Sequence, residues 1–193
     1  MTRYIAITGT HSTGKSTFVE ELRSLAERFG LRVGTIEDKA KSCQDNGFGI
    51  LKQHTFESTL WIMSTVIRAE QKSSLTADLV IVDRPVSDAI GYLESAFAAT
   101  DRSIPEKDLA YLYGLAKLHT SRYDLLYKTV LDESIPLGEG RDRDLAFRRD
   151  VDQRIGASLS TLGVVPLDPQ TENGKAQAIA LIEGISRGVA ELV

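Results

Sequence analysis

The chain begins with a strand-like run, a glycine-bounded turn and an amphipathic segment in immediate succession. Tyr4-Ile5-Ala6-Ile7-Thr8 is short and mostly apolar, the pattern of a strand buried in a parallel sheet. Gly9 follows, then four residues, then Gly14-Lys15-Ser16. From Lys15 to Phe29 the apolar residues Phe18, Val19, Leu22, Leu25, Ala26 and Phe29 recur at helical spacing, and Gly30 is a natural stop. Gly9-Thr10-His11-Ser12-Thr13-Gly14-Lys15-Ser16 therefore meets a phosphate-binding pattern in the strand-to-helix context that the pattern requires. Glycines let the backbone bend so that successive amides point into one nest, at a helix N-terminus whose dipole favours anions. The expected cradle runs from Gly9 to Thr17. Lys15 would reach the β- and γ-phosphates of ATP, Ser16 would place its hydroxyl on Mg²⁺, and His11 would contribute only its backbone. The competing reading is a Gly/Ser/Thr surface turn before an amphipathic helix.

The remaining periodicities repeat the alternation of strand and helix. Leu31 to Ile36 reads as a second strand ending at Glu37 and Asp38, and Lys52 to Leu75 as one long helix. Leu79-Val80-Ile81-Val82 is a third strand ending at Asp83-Arg84-Pro85, where Pro85 keeps Arg84 extended or in a turn. Helices are expected around Ser87 to Ala98 and Glu106 to Thr120. Leu125 to Leu131 is a fourth strand, Val164 to Leu167 a fifth, and Lys175 to Leu192 a closing helix. This order predicts an α/β fold of three layers: a five-stranded parallel sheet with helices on both faces and a helical or loop lid.

The 193 residues show no repeat or linker, so one domain over 1–193 is expected, with the lid near 136–152. Apolar residues at 42% and charged residues at 26% are ordinary for a globular chain, and no apolar run approaches a membrane span. A cytoplasmic location is expected. Cys43 cannot form an internal disulfide, and three scattered histidines offer no zinc spacing. The net charge of −4 argues against a general nucleic-acid binder, without excluding one. The expected partner is a small-molecule acceptor; a homodimer stays open.

Ligands of open α/β sheets bind beyond the carboxyl ends of the strands. Asp83, at such an end, is the candidate to orient the metal's water shell; alternatively it caps the following helix. Arg84 beside it can hold an anion or the surroundings of an acceptor hydroxyl. Asp83-Arg84-Pro85 resembles the Asp-Arg or Glu-Arg pair of the nucleoside and thymidylate kinase group of P-loop proteins. With Val86-Ser87-Asp88-Ala89-Ile90-Gly91-Tyr92-Leu93 it looks more closely like the P-loop family related to the ribosylnicotinamide kinase domain of the bifunctional NAD regulator. The resemblance covers nearly the whole chain, with two or three specific segments.

Arg141, Arg143, Arg148 and Arg149 cluster in a stretch of mixed charge, which is either a solvated helix face or a lid whose arginine spreads charge on a transferring phosphoryl group. The stretch is similar to the lid of the same kinase group, which makes Arg141 and Arg148 the phosphate-facing candidates. Transfer to a hydroxyl also wants a carboxylate near the attacking oxygen. Glu37 and Asp38 are candidates, Asp83 the competitor, and the resemblance implies a base at a similar place. His54 to Arg68, with Phe56, Glu57 and Trp61, forms either an acceptor pocket or plain core, and Tyr92, Tyr111 and Tyr113 carry the same ambiguity. Asp168-Pro169-Gln170 lies where the group contacts adenine through its backbone.

The reading is thus an ATP-dependent phosphotransferase acting on a nucleoside, nucleotide or similar acceptor. The alternatives are an ATP-binding or ATPase regulatory module, and a kinase acting on a modified base in a polynucleotide. No Asn-Lys-x-Asp motif supports a GTPase switch.

Overall fold

A computed structural model describes residues 1–11, 13–132 and 144–191. In chain order the elements are β1 (Arg3–Thr8), α1 (Lys15–Arg28), β2 (Val33–Ile36), α2 (Ala40–Asp45), a 3-10 turn (Leu51–Gln53), α3 (Phe56–Ser73), β3 (Leu79–Asp83), α4 (Val86–Ala99), α5 (Glu106–Thr120), β4 (Leu125–Lys128), α6 (Leu145–Thr161) and α7 (Glu172–Ala190). The strands form a parallel sheet in the order β2-β3-β1-β4.

Side-chain alternation splits the sheet into two cores. Tyr4, Ala6, Val80 and Val82 face the layer that contains α3, α4, α5 and α6, whereas Ile5, Ile7, Leu79 and Ile81 face α1 and α7. Both faces are covered, which is why β1 and β3 read as nearly unbroken apolar runs. Gly91 on α4 lets α6 come close: an added Cβ would meet Ile155 Cγ1 at 2.7 Å. That contact holds the middle of α6 against α4.

The sheet has four strands among the described residues where five were expected. Leu167 makes a single parallel bridge to Tyr127, with Leu167 N donating to the Leu126 carbonyl at 2.8 Å and Lys128 N to the Leu167 carbonyl at 2.9 Å. Pro166 has no N–H to extend the ladder, and Val165 is 91% exposed. The long helix expected from Lys52 is also divided. Thr55 caps α3 reciprocally with Ser58, so the helix proper begins at Phe56. Short α2 carries no strong period and was missed. The strand expected from Leu125 to Leu131 ends at Lys128, and Leu31 and Arg32 precede β2.

Candidate phosphate and acceptor site

Strand register assembles the site. Ile7 lies opposite Asp83, and Arg84 N donates to the Ile7 carbonyl at 3.1 Å, so the turn after β1 and the turn after β3 share one edge of the sheet. Gly9, at φ +137°, opens the first turn, and a Cβ there would meet Thr129 Oγ1 at 2.4 Å. Conformation and space therefore both demand glycine. Thr129 N donates to the Thr8 carbonyl at 3.0 Å, and its hydroxyl lies 2.6 Å from Thr13 Oγ1. Thr13 Oγ1 in turn donates to the Thr10 carbonyl at 3.1 Å.

Gly14, at φ +82°, precedes α1, which has no side-chain cap and no acidic residue in its first turn. A helix start of this kind suits an anion. Lys15 is 5% exposed and its ammonium donates to the Thr10 carbonyl at 2.5 Å. Burial, followed by the nearby Arg84 charge, pulls the Lys15 amine down to about 7, against the opposing fields of Asp83, Asp88 and Asp38.

Ser16 Oγ donates to Asp83 Oδ2 at 3.4 Å. The other oxygen, Asp83 Oδ1, is buried without a hydrogen-bond partner among the described residues. A buried acceptor of this kind calls for a further ligand, and a hydroxyl beside a carboxylate is the hard-oxygen donor set that magnesium takes while keeping several waters. The residues present fit that ion.

Arg84 occupies the left-handed region at φ +70°, a strained backbone for a non-glycine residue. Proline after it and the amide bond to Ile7 hold the turn, and the side chain is tied down three ways. Its Nε lies 2.7 Å from Asp38 Oδ2, and its Nη1 donates to Tyr92 Oη at 2.9 Å and to the Gly9 carbonyl at 3.2 Å. Burial works against its charge but is outweighed by Tyr92, Asp38, Asp88 and Asp83, so the guanidinium is held charged. The Tyr92 ring stacks on His54, with centroids 5.8 Å apart. His54 is buried, and burial, with the Arg102 charge adding, lowers its imidazole to about 4; His54 is neutral near pH 7.

From α6, Arg148 Nη2 donates to the His11 carbonyl at 3.2 Å, while its buried Nε has no hydrogen-bond partner among the described residues. Lys52 Nζ pairs with Asp144, which caps α6, and Lys128 pairs with Asp152 at 2.9 Å. Helix α6 is thus fastened at its cap to the 3-10 turn and at its middle to β4.

The sequence candidates divide accordingly. Gly9, Thr10, His11, Thr13, Gly14, Lys15, Ser16 and Thr17 form the turn and first helical residues, and Asp83, Arg84, Asp38 and Arg148 converge on it. Ser12 and Arg141 lie outside the described residues, as does the first part of the lid expected over 136–152, up to residue 143; the rest is the cap and first turns of α6. Glu37 is exposed and makes no hydrogen bond or ion pair with the described residues. Trp61 packs against Phe48, Tyr111 against Phe56, and Tyr113 bonds to Glu94 and Ser158, away from the site. Sequence reasoning missed Asp88 and Thr129. An acidic residue among Val86, Ala89, Ile90 and Leu93 on an apolar helix was the signal for Asp88; nothing local marks Thr129. A surface groove follows the outer side of α1, lined by Glu20, Glu21, Glu27 and Arg28. Three carboxylates against one guanidinium disfavour a polyphosphate there.

The AAA_28 family model, described as an AAA domain, matches residues 4–173. The chain belongs to this AAA domain family. No curated protein matches it. Among solved structures, the fold of this AAA domain is similar to the NadR protein in complex with NR, at a TM-score of 0.63 and 14% identity over 89% of this chain and 46% of that one. NadR in complex with NAD and AMP-PNP matches with TM-score 0.63 and 14% identity, over 96% of this chain and 50% of that one. Thymidylate kinase from Ehrlichia chaffeensis matches with TM-score 0.61 and 15% identity, over 94% of this chain and 98% of that one. The chain spans about half the length of the NadR chains. The AAA domain thus has an α/β fold with a parallel sheet, shared with the NadR and thymidylate kinase structures. No helix among the described residues is long and apolar enough to cross a membrane.

Proposed function

We propose that this protein is an ATP-dependent phosphotransferase that moves the γ-phosphoryl group of ATP to a hydroxyl or phosphate of a nucleoside, nucleotide or similar small acceptor. The observation that carries the reading is the ion pair of Asp38 and Arg84, anchored on the phosphate loop through the Gly9 carbonyl. A module that only bound ATP would have no use for a carboxylate and a guanidinium beside the γ-phosphate end of the cradle.

In this reading the α1 amides and Lys15 hold the phosphates, and Ser16 and Asp83 hold magnesium, which supplies neutralisation of the polyphosphate charge. Lys15, now folded onto the Thr10 carbonyl, swings to the phosphates and regains full charge beside them. Arg148 extends from α6 to the loop and bears charge that develops on the transferring group. Arg84 orients the acceptor, and Asp38 takes the proton of an attacking hydroxyl as the new O–P bond forms and the β–γ bridge bond breaks, leaving ADP. Positioning and electrostatics supply most of the rate. Asp38 is preferred as the base over Glu37, whose exposed side chain makes no ion pair with Arg84, and over Asp83, which is engaged with Ser16. The small, acidic chain favours a free acceptor over a polynucleotide.

The test is a screen of nucleosides, nucleotides and related alcohols with ATP and Mg²⁺, read as ADP release. ADP formation that depends on one acceptor and is lost in Lys15→Ala supports the proposal. ATP consumption indifferent to every acceptor would instead indicate an ATPase module.

A further inference from the structure

Asp88 sits in the first turn of α4 and is 2% exposed. One carboxylate oxygen accepts from the Thr8 hydroxyl and the other from Gly9 N at 3.3 Å. Both donors belong to the junction at which β1 becomes the phosphate loop. A buried charge of this kind persists only when paired and hydrogen-bonded. Its compensating charges are Arg84, in the turn between β3 and α4, and Lys15; both feel the Asp88 field. Burial nonetheless raises the Asp88 carboxyl to about 6.

We propose that Asp88 is a positioning residue for phosphate capture: it pins the start of the loop through Thr8 and Gly9 and is the standing counter-charge of Lys15 and Arg84 until nucleotide phosphates take over that role. The inference rests on the reading of the loop as an ATP cradle. Its two parts act with opposite sign on affinity. The hydrogen bonds shape the cradle and favour binding, whereas the negative charge beneath it opposes an incoming polyphosphate. Substitutions can separate them. Asparagine keeps an acceptor for Gly9 N, and its amide can donate to a rotated Thr8 hydroxyl, so Asp88→Asn removes the charge alone. Asp88→Ala removes both parts.

The experiment is calorimetric titration of the full chain with ATP and MgCl₂ near pH 7.5. Asp88→Asn is expected to tighten ATP binding by about threefold to tenfold, since one unit charge several ångströms from the phosphates acts through an intermediate dielectric. Asp88→Ala should weaken binding by about tenfold or more, as loss of the loop's anchoring bonds dictates. A carboxylate with a purely structural role would weaken both variants alike, and an Asp88→Asn affinity equal to or below that of the unaltered protein overturns the proposal. Thr8→Val and Thr8→Ser provide the check if an Asp88 variant does not fold. Valine should weaken ATP binding by about fivefold and serine should retain it; wild-type affinity in Thr8→Val overturns the anchoring role. No binding by the unaltered protein would instead remove the cradle reading and this inference with it, an outcome distinct from a failure confined to the variants.

Discussion

Arg84 Nε and Asp38 Oδ2 are 2.7 Å apart, joining the turn after β3 to the segment after β2. Neither turn is adjacent in sequence to the loop after β1, yet the same guanidinium also donates to the Gly9 carbonyl and to Tyr92. One side chain therefore locks three segments of the candidate site, in a backbone conformation that it adopts at φ +70°.

Truncating that side chain should be felt as instability as well as altered kinetics. Arg84→Ala takes the guanidinium away from the Asp38 carboxylate, and the expected loss is about 2–3 kcal/mol in urea denaturation. Arg84→Lys should recover less than half, because an ammonium cannot reproduce the fork that meets Asp38, Tyr92 and Gly9 together. A change within experimental error in Arg84→Ala would mean that the pair contributes nothing to folding.

Lys15→Ala should behave differently. The amine is desolvated and lies on the Thr10 carbonyl, so its removal should leave folding stability intact or slightly higher. ATP affinity should fall by about tenfold to a hundredfold, the weight of a charge-assisted contact. Calorimetry combined with thermal melting measures both, and undiminished ATP affinity would refute the assigned cradle.

Asp83→Asn tests the cation. Because Asp83 Oδ1 is buried beside Ser16 without a hydrogen-bond partner among the described residues, magnesium should strengthen ATP binding to the unaltered protein. In the variant that gain should shrink by about tenfold, while metal-free ATP binding changes by less than about threefold. Paired titrations with and without MgCl₂ distinguish this from a helix cap, whose removal would lower stability equally in both.

His54 predicts a pH dependence with a definite sign. Its folded value, about 4, lies below the ordinary 6.5, so the unfolded chain binds the proton more tightly. The stability it contributes is complete above pH 6.5 and is lost as pH falls toward 4, with a maximum near 3 kcal/mol. In urea melts, His54→Phe should lack this part of the acid loss and retain more stability at pH 4.5 relative to pH 7.5 than the unaltered protein does. Parallel pH profiles for the two would show that the imidazole is not buried neutral.

Much of this architecture was legible along the chain. The glycine spacing before an amphipathic helix specified the turn and α1 because both signals are local: φ requirements at Gly9 and Gly14, and a period near 3.6 from Lys15 onward. The β-branched run Leu79–Val82 and the acid that ends it were equally local. The fifth strand failed because Val164 and Val165 look like strand residues one at a time, whereas ladder formation needs a donor that Pro166 lacks. The division before α3 escaped because capping by Thr55 and Ser58 interrupts a periodicity that continues on either side.

By itself, the sequence determined where the chain could bend tightly, which segments would bury an apolar face, and that a cluster of amides and an ammonium would meet at the first turn. Only the tertiary structure decided which distant charges meet there: that Asp38 rather than Glu37 faces Arg84, that Arg148 reaches the His11 carbonyl, and that Asp88 and Thr129 brace the loop. The physical reason is range. Dihedral preferences and periodicity act over a few residues and are written locally, whereas a buried ion pair is chosen by strand order and helix packing, which bring together groups that no spacing along the chain connects.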